Sequence, residues 1–398
     1  MVAILPCVIE CRLFVRRRAI RGRSAYSPSV GGIQDNAVLP CLGSGYARRS
    51  CPRRDLKVKL RLILVLFLLL GLAPAAFGRE IVDMAGRKVT VPETIHRLYV
   101  PSPFGAYMMY ALAPDMMTGL VFEPREGEGK YLPAKLKGLP VLGVMMMGMG
   151  MMANPETILK SKPEVLVIWN LDRSPLNAKI TSSLDKLNIP YVIVYANSMN
   201  EYPEAIRFLG RLTGRTHRAE ELAAASEKIL ANVSAAVAKV PANQRPRVYY
   251  AEGSDGLSTE CDDSFHTEML KQLGDLNVHR CHTSGHMGME KISLEQVMMY
   301  APDAVITQDK MFYNKVLQDP AWQQLKAVQQ RKVYLIPRVP LNWFDRPPSF
   351  MRFMGVQWLA NKLYPQAYPL DAIKETRHFY QQFLDVTLSD EDVREILQ

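Results

Sequence analysis

Cysteine, long apolar runs and an excess of one charge are all scarce in the main part of this 398-residue sequence. The formal net charge of +10 comes entirely from residues 1–78, which carry 13 Lys and Arg against three Asp and Glu, whereas residues 79–398 carry 36 of each. Proteins that bind nucleic acids or anionic membranes need a basic surface. The even balance after residue 78 therefore excludes nucleic acid as a partner, and this region is long enough for two α/β lobes.

The N-terminal region lacks an apolar run that would cross a bilayer comfortably, since a spanning helix needs about 20 residues and the run at 62–73 has 12. A basic stretch at 57–61 precedes this run and the small residues Ala76 and Gly78 follow it, so we interpret 57–78 as a secretory signal peptide. Residues 1–56 are then a spurious or disordered N-terminal extension. No cysteine follows the run closely, which predicts a periplasmic protein without a lipid anchor.

Residues 79–398 contain only two cysteines, Cys261 and Cys281. Outside the reducing cytosol, two such cysteines are more often paired than free. We therefore predict a disulfide between them.

The same region lacks the common catalytic motifs: it has no G-x-S-x-G elbow, no H-E-x-x-H pair and no phosphate-binding P-loop. We predict that the protein is not an enzyme and has no intrinsic cofactor. The segment 279–286 supports the main alternative, because its three histidines and one cysteine could hold a metal, with His282 and His286 as candidate ligands. A flexible, solvated loop is the other interpretation of this segment.

Short β-type runs alternate with helical patterns after a predicted hairpin at 81–91, which is typical of a parallel α/β fold. The strand candidates are 98–100, 165–169, 191–195, 248–251, 304–307 and 333–336. Two segments, 154–168 and 293–307, align without gaps at an offset of 139 residues, each as a short helix, a Pro-acid corner and a buried strand. This repeat predicts two similar lobes. Chance similarity of two common αβ units is the alternative.

A long Ala-rich segment at 216–239 separates the two repeats and contains neither Gly nor Pro. A helix of this length would reach about 36 Å. We expect it to join the lobes and to limit hinge motion between them. The predicted organisation is an N-terminal α/β lobe at 79–215, an interlobe helix at 216–240 and a C-terminal α/β lobe at 241–398.

From the hairpin onward the chain resembles a known family, the substrate-binding proteins of bacterial ABC importers for iron–siderophores, haem and cobalamin. In that family two Rossmann-like lobes with parallel sheets are joined by a single long helix. The segments that carry the resemblance are 82–92, 154–168, 187–190, 292–297, 301–306 and 331–334. The resemblance implies a periplasmic monomer that works with an ABC importer permease and its ATPase.

The resemblance also implies a docking role for one acidic residue on each lobe, and these positions correspond to Glu156 and Glu295. Two like charges would fix the orientation of the protein on basic residues of the permease. The alternative is that each is a solvated acid in a first helical turn, where the helix dipole favours it.

Ligands of open α/β lobes bind beyond the carboxyl ends of the strands. The candidate ligand-binding residues at those ends are Phe104, Met145, Met147, Met149, Trp169, Glu252, Arg338, Trp343 and Arg346. Arg346 could pair with an anionic chelate and Trp343 could pack on a flat ligand. An internal pairing of Asp345 with Arg346 is the alternative.

Six methionines occupy the eight positions 145–152. We interpret this run first as a pliable apolar wall, then as core filler, and third as a thioether site for copper(I).

We therefore expect a protein that captures a metal chelate between its lobes, with an iron–siderophore-type complex preferred and cobalt or nickel also open. The alternatives are a secreted metal-binding protein or metalloenzyme using 279–286, and a copper carrier using 145–152.

Overall fold

The computed structural model describes residues 78–145, 153–171, 173, 175–283 and 288–398. Residues 57–77 of the predicted signal peptide, the N-terminal extension, Met147, Met149 and His286 lie outside these residues. No helix in the described ranges combines the length and the hydropathy needed to cross a membrane.

The first half of the described chain forms a hairpin and a parallel sheet. Strands β1 (Gly78–Val82) and β2 (Lys88–Pro92) pair antiparallel. Strands β3 (Leu98–Tyr99), β4 (Val165–Asn170) and β5 (Tyr191–Tyr195) form a parallel sheet in the order β3-β4-β5. The first five residues of β4 are all buried, as expected for a strand that is covered on both faces.

The second half repeats this parallel arrangement. Strands β6 (Val248–Ala251), β9 (Ala304–Thr307) and β10 (Val333–Leu335) form a parallel sheet in the order β10-β9-β6. Strands β7 (Ser258–Thr259) and β8 (Glu290–Lys291) form a short antiparallel pair beside it.

Twelve helices accompany the strands within the described residues. They are α1 (Pro103–Leu112), α2 (Pro155–Ser161), α3 (Ala178–Asp185), α4 (Tyr202–Thr213), α5 (Thr216–Val237), α6 (Glu268–Gln272), α7 (Leu294–Tyr300), α8 (Lys310–Val316), α9 (Lys326–Gln329), α10 (Arg352–Leu363), α11 (Ala372–Leu384) and α12 (Asp390–Leu397). Short 3₁₀ turns lie at Pro114–Met116, Glu128–Tyr131, Ala134–Leu136, Ala242–Gln244, Phe265–Thr267 and Trp322–Gln324.

The sequence repeat folds into the same unit in both halves. Helix α2 is capped at its N-terminus by Asn154, and α7 by Ser293, 139 positions later; in each case the side chain accepts from a backbone N–H of the first turn. Both helices end at a residue with left-handed backbone, Lys162 and Ala301.

The acid at the corner of each unit makes the same kind of contact. Glu164 accepts a hydrogen bond from the backbone N–H of Arg97 at 3.1 Å, and Asp303 accepts one from that of Arg247 at 2.9 Å. Each acid therefore ties the start of one strand to the first strand of its sheet. The fold is α/β with two similar parallel sheets.

Helix α5, 22 residues long, lies between the two sheets in chain order. It packs against α4 of the first half and α10 of the second. The approach to α4 is close, because a Cβ added at Gly210 would lie 2.3 Å from the Cβ of Ala219. Aromatic contacts also join the halves, since Tyr202 meets both Trp169 and Phe353 edge to face. One apolar core consequently extends through both sheets.

Candidate functional site

A cavity of about 330 Å³ is lined by residues from both halves of the chain. The first half contributes Tyr107, Tyr110, Phe122, Glu123, Pro124, Arg125, Glu128 and Leu132, and the second contributes Arg338, Pro340, Leu341, Asn342, Arg346 and Pro347. The second set follows the carboxyl end of β10, where ligands of parallel α/β sheets bind. The cavity is thus a candidate ligand site.

Arg338 brings a partly buried guanidinium to this cavity. One terminal nitrogen, Nη1, donates to the backbone oxygen of Gln308 at 3.2 Å, but the buried Nε has no hydrogen-bond partner among the described residues. Burial lowers the pKa of Arg338, and the positive charge of Arg125 lowers it further. No carboxylate of the described residues lies within ion-pair distance of Arg338. The buried Nε is therefore a donor that a negatively charged acceptor in the cavity could satisfy.

Arg125 enters the cavity from the loop that precedes the 3₁₀ turn at Glu128–Tyr131. Its side chain is 65% exposed, and its contact with Glu128 is long, at 3.9 Å. The Glu128 side chain is only 16% exposed and lines the same cavity. Arg125 brings a second positive charge to the cavity from the other half of the chain, and Glu128 compensates part of it.

Arg346 lines the same cavity, but carboxylates already surround it. Its guanidinium pairs with Glu252 and Glu260, whose side chains are both 1% exposed, and more distantly with Asp345 at 3.8 Å. The internal pairing considered for Arg346 is therefore present, and its main partners are the two glutamates. A ligand would have to compete with those carboxylates for Arg346.

The cluster around Arg346 carries more acids than permanent cations. Asp345 contacts Nδ1 of His266 at 2.5 Å, so three carboxylates share one guanidinium and one imidazole. Burial raises the pKa of Glu260 to about 7. Burial opposes protonation of His266, but its hydrogen bond with Asp345 raises the pKa of the imidazole overall. The cluster consequently favours the protonated forms of Glu260 and His266.

Polar contacts fix the loop that carries Arg338 and Arg346. The side-chain amide of Asn342 donates to Oε1 of Gln308 at 2.6 Å, and its oxygen accepts from the backbone N–H groups of Phe344 and Asp345. Gln308 in turn donates to Glu252 at 3.2 Å. This network links the loop to the residues that follow β6 and β9.

The aromatic residues proposed as ligand contacts lie in the core instead. Trp343 is completely buried, and its indole N–H donates to the backbone oxygen of Val339 at 3.2 Å. Trp169 is 3% exposed and donates to the oxygen of Ala196 at 3.0 Å, and Phe104 is 4% exposed. Large aromatic side chains bury much apolar area, so the core takes them before a polar cavity does. None of the three lines the cavity.

The remaining ligand candidates divide between the core and the ionic cluster. Met145 is half-buried and packs beside an apolar cluster of the first half. Glu252 is completely buried and serves as a partner of Arg346. The cavity is also lined by Arg125, Tyr107, Tyr110 and Asn342, which the sequence patterns did not indicate. The spacing of Tyr107 and Tyr110, three apart in the helix after β3, is the signal that was available for the two tyrosines.

Cys261 and Cys281 form a disulfide in the structure. His282 points into solvent, with Nδ1 3.2 Å from Oδ2 of Asp263, and it does not line the cavity. A role for His282 as a ligand to a metal inside the cavity is therefore not supported by its position.

Glu156 and Glu295 are both exposed, at the second position of α2 and α7. Hydrogen bonds from its own backbone N–H and from Ser293 lower the pKa of Glu295. The two positions are equivalent in the repeat, and the side chains are accessible.

The chain is similar to one family model and to several known binding proteins. The family model described as "periplasmic binding protein" matches residues 134–340. A solved ABC transporter solute-binding protein from Sulfurospirillum deleyianum is 38% identical, with 80% of this chain and 98% of that chain covered at a TM-score of 0.73. The molybdate-binding protein MolA of Haemophilus influenzae is 26% identical over an alignment 357 positions long, and the match covers 82% of this chain and 97% of that protein. Its structure with bound molybdate superposes with a TM-score of 0.61.

Proposed function

The chain belongs to the periplasmic binding protein family and is a substrate-binding protein of an ABC transporter, and on that premise we propose that it captures a compact anionic metal chelate. The chelate would occupy the cavity around Arg338 and pass to the permease of the importer. Iron is the preferred metal, with cobalt and nickel as further possibilities.

The buried Nε of Arg338 is the observation that carries this proposal. A buried donor without a partner costs about 1–3 kcal/mol, and more when the group is charged. An anionic ligand would supply the missing acceptor and would also relieve the repulsion between Arg338 and Arg125. Arginine is suited to this role because its planar fork matches carboxylate and similar groups.

The size and walls of the cavity favour a compact organic chelate. Its volume of about 330 Å³ lies at the lower end of the range of about 300–1,000 Å³ for small-molecule pockets. Phe122, Leu132 and Leu341 add apolar walls beside the arginines. A ligand with both organic and anionic surface would match this mixture, and a much larger siderophore would extend into solvent.

A tetrahedral oxyanion is the second candidate. It is favoured by the two arginines that line the cavity from both halves of the chain and by the relative that is named a molybdate-binding protein. We rank it second because the apolar walls and the tyrosine rings would have no counterpart on a bare oxyanion.

The proposal also includes export of the protein and its docking to the permease. Residues 57–78 would act as the signal peptide, and the absence of a nearby cysteine argues against lipidation. Glu156 and Glu295 would contact basic residues of the permease, which is consistent with their exposure at equivalent positions.

The test is a thermal-shift and native mass spectrometry panel on the wild-type chain, Arg338→Gln and the control Arg394→Gln, whose side chain is exposed on α12. The panel contains ferric citrate, a ferric hydroxamate, haem, cobalamin, nickel–histidine, molybdate and tungstate. A chelate should stabilise the wild type and the control more than it stabilises Arg338→Gln. Binding of the oxyanions alone would favour the second candidate and reject the first. Equal binding by Arg338→Gln would reject the assignment of the cavity.

A further inference from the structure

We propose that Cys261, His279, Cys281 and Glu290 form a binding site for a divalent metal of the zinc type when the disulfide is reduced. The donor atoms of these four residues all lie within 4.8 Å of one another. Cys261 is 1% exposed and His279 is 7% exposed, so two of the four donors are well shielded from water. The cluster is separate from the residues that line the cavity.

The set of donors matches the chemistry of zinc. Zinc in structural sites takes four ligands in a tetrahedron from Cys sulfur, His nitrogen and carboxylate oxygen, with bonds of about 2.0–2.3 Å. Donors on such a tetrahedron lie about 3.3–3.8 Å apart. A cluster already within 4.8 Å therefore needs only small side-chain movements to close around an ion once the sulfurs separate.

His279 is already oriented for this role. Its Nδ1 lies 2.8 Å from the hydroxyl of Tyr300, and its Nε2 lies 3.4 Å from Oε2 of Glu290. A metal-bound histidine typically uses its second ring nitrogen for such a hydrogen bond, which fixes the tautomer and the direction of the ring. Tyr300 would hold the ring while Nε2 faces the metal.

Glu290 reaches both sulfurs. Its carboxylate oxygens lie 3.5 Å from Sγ of Cys261 and 3.7 Å from Sγ of Cys281. The residue belongs to β8, which pairs with β7 just before Cys261. The ladder therefore holds the carboxylate beside the sulfurs independently of the disulfide.

Other contacts would keep the two cysteines together after reduction. The backbone N–H of Cys281 donates to Asp262 at 3.0 Å, and Arg280 pairs with Asp262 at 2.9 Å and with Asp275 at 2.8 Å. On the other side, the hydroxyl of Thr267 donates to the backbone oxygen of Cys261 at 2.8 Å.

The chemistry has two balanced steps. A thiol reductant supplies two electrons and two protons, so the bond between the sulfurs of Cys261 and Cys281 breaks, two thiols form and the reductant becomes its disulfide. A divalent ion then displaces one proton from each thiol and binds the two thiolates, His279 and Glu290. The ion would replace the covalent link, so the segment stays cross-linked under oxidising and reducing conditions.

The test is a Co²⁺ titration of the untagged full chain in which Cys7→Ser, Cys11→Ser, Cys41→Ser and Cys51→Ser leave only the pair of interest. A phosphine reduces one sample and takes oxygen from water as it does so, and a second sample stays oxidised. The reduced chain should bind one Co²⁺ with thiolate-to-metal charge-transfer absorption and tetrahedral visible bands. Zn²⁺ should then displace the cobalt. The oxidised chain should show neither feature.

Variants separate this site from adventitious binding. His279→Ala should weaken Co²⁺ binding to the reduced chain at least tenfold, and Glu290→Gln should weaken it severalfold, whereas the control His282→Ala should stay within twofold. Circular dichroism checks folding of each sample. The proposal is overturned if the reduced chain shows no charge-transfer band, if it has lost its folded spectrum, or if His279→Ala binds as tightly as His282→Ala.

Discussion

Arg338 and Arg125 bring two positive charges to one cavity from different halves of the chain. Burial lowers the pKa of Arg338, and Arg125 lowers it further. Glu128, which lines the same cavity, compensates part of this repulsion, and a negatively charged ligand would relieve more of it.

Replacing Arg338 should weaken ligand binding without lowering the stability of the unliganded protein. We expect Arg338→Gln to weaken ligand binding about 10–100-fold, because a hydrogen bond to a charged group contributes about 1.5–3 kcal/mol. The unfolding midpoint without ligand should stay equal or rise, since the variant removes a desolvated charge. Isothermal titration calorimetry and thermal melting measure the two effects. Arg394→Gln serves as the control, and a loss of affinity in that variant as well would point to a general charge effect.

Arg125 should have a smaller effect than Arg338. Its side chain is 65% exposed, so solvent screens its charge. We expect Arg125→Gln to weaken binding about threefold at low salt and less at high salt. Titrations at two ionic strengths check this, and a salt-independent loss larger than that of Arg338→Gln would contradict it.

The ionic cluster around Arg346 should make stability depend on pH. Burial raises the pKa of Glu260 to about 7 in the folded chain, above its unfolded value of about 4.3. Between these values the folded state holds more protons, so stability falls as pH rises and becomes level above about pH 7. The raised pKa of His266 acts in the same direction, because its stabilising proton is lost as pH rises. Thermal melts from pH 5 to 8 measure the slope.

Glu260→Gln should flatten part of that slope, since the amide does not titrate while His266, Glu252 and Arg346 still face it. The control Glu204→Gln changes an exposed acid in the first turn of α4. A slope that is unchanged in Glu260→Gln would show that the pH dependence arises elsewhere.

Charge reversal at the proposed docking positions should spare the ligand site. Glu156→Arg combined with Glu295→Arg should reduce binding to the permease in lipid nanodiscs more than tenfold, because attraction becomes repulsion at two points. Ligand affinity should remain within twofold. Glu204→Arg provides a matched reversal in another first helical turn. If the double variant binds the permease normally, Glu156 and Glu295 do not serve in docking.

Helix α10 packs too closely on the backbone of Trp343 for Gly355 to carry a methyl group. A Cβ at Gly355 would lie 1.8 Å from the backbone oxygen of Trp343. We expect Gly355→Ala to destabilise the fold by about 2 kcal/mol or more. At Gly129 a Cβ meets nothing within 4 Å, so Gly129→Ala should be close to neutral. Chemical unfolding of the two variants compares them, and equal midpoints would disprove the close contact.

Local patterns were sufficient for much of the fold. The strand predicted at 191–195 is β5, and the strand at 248–251 is β6, because apolar β-branched and aromatic runs bury themselves in any parallel sheet. The repeat predicted equivalent caps and corners in α2 and α7, since these depend on neighbouring residues. The family and its two-sheet α/β architecture followed from the order of such units.

The sequence by itself determined the elements, the repeat and the pair of cysteines, because each depends on residue type and on contacts near in the chain. Only the tertiary structure decided which side chains meet at the cavity. Trp343 lies in the core, and Arg346 pairs with Glu252 and Glu260. Arg125 lines the same cavity as Arg338, although the two are more than two hundred positions apart in the sequence. Burial and charge compensation are summed over the whole fold, so no local pattern could assign them.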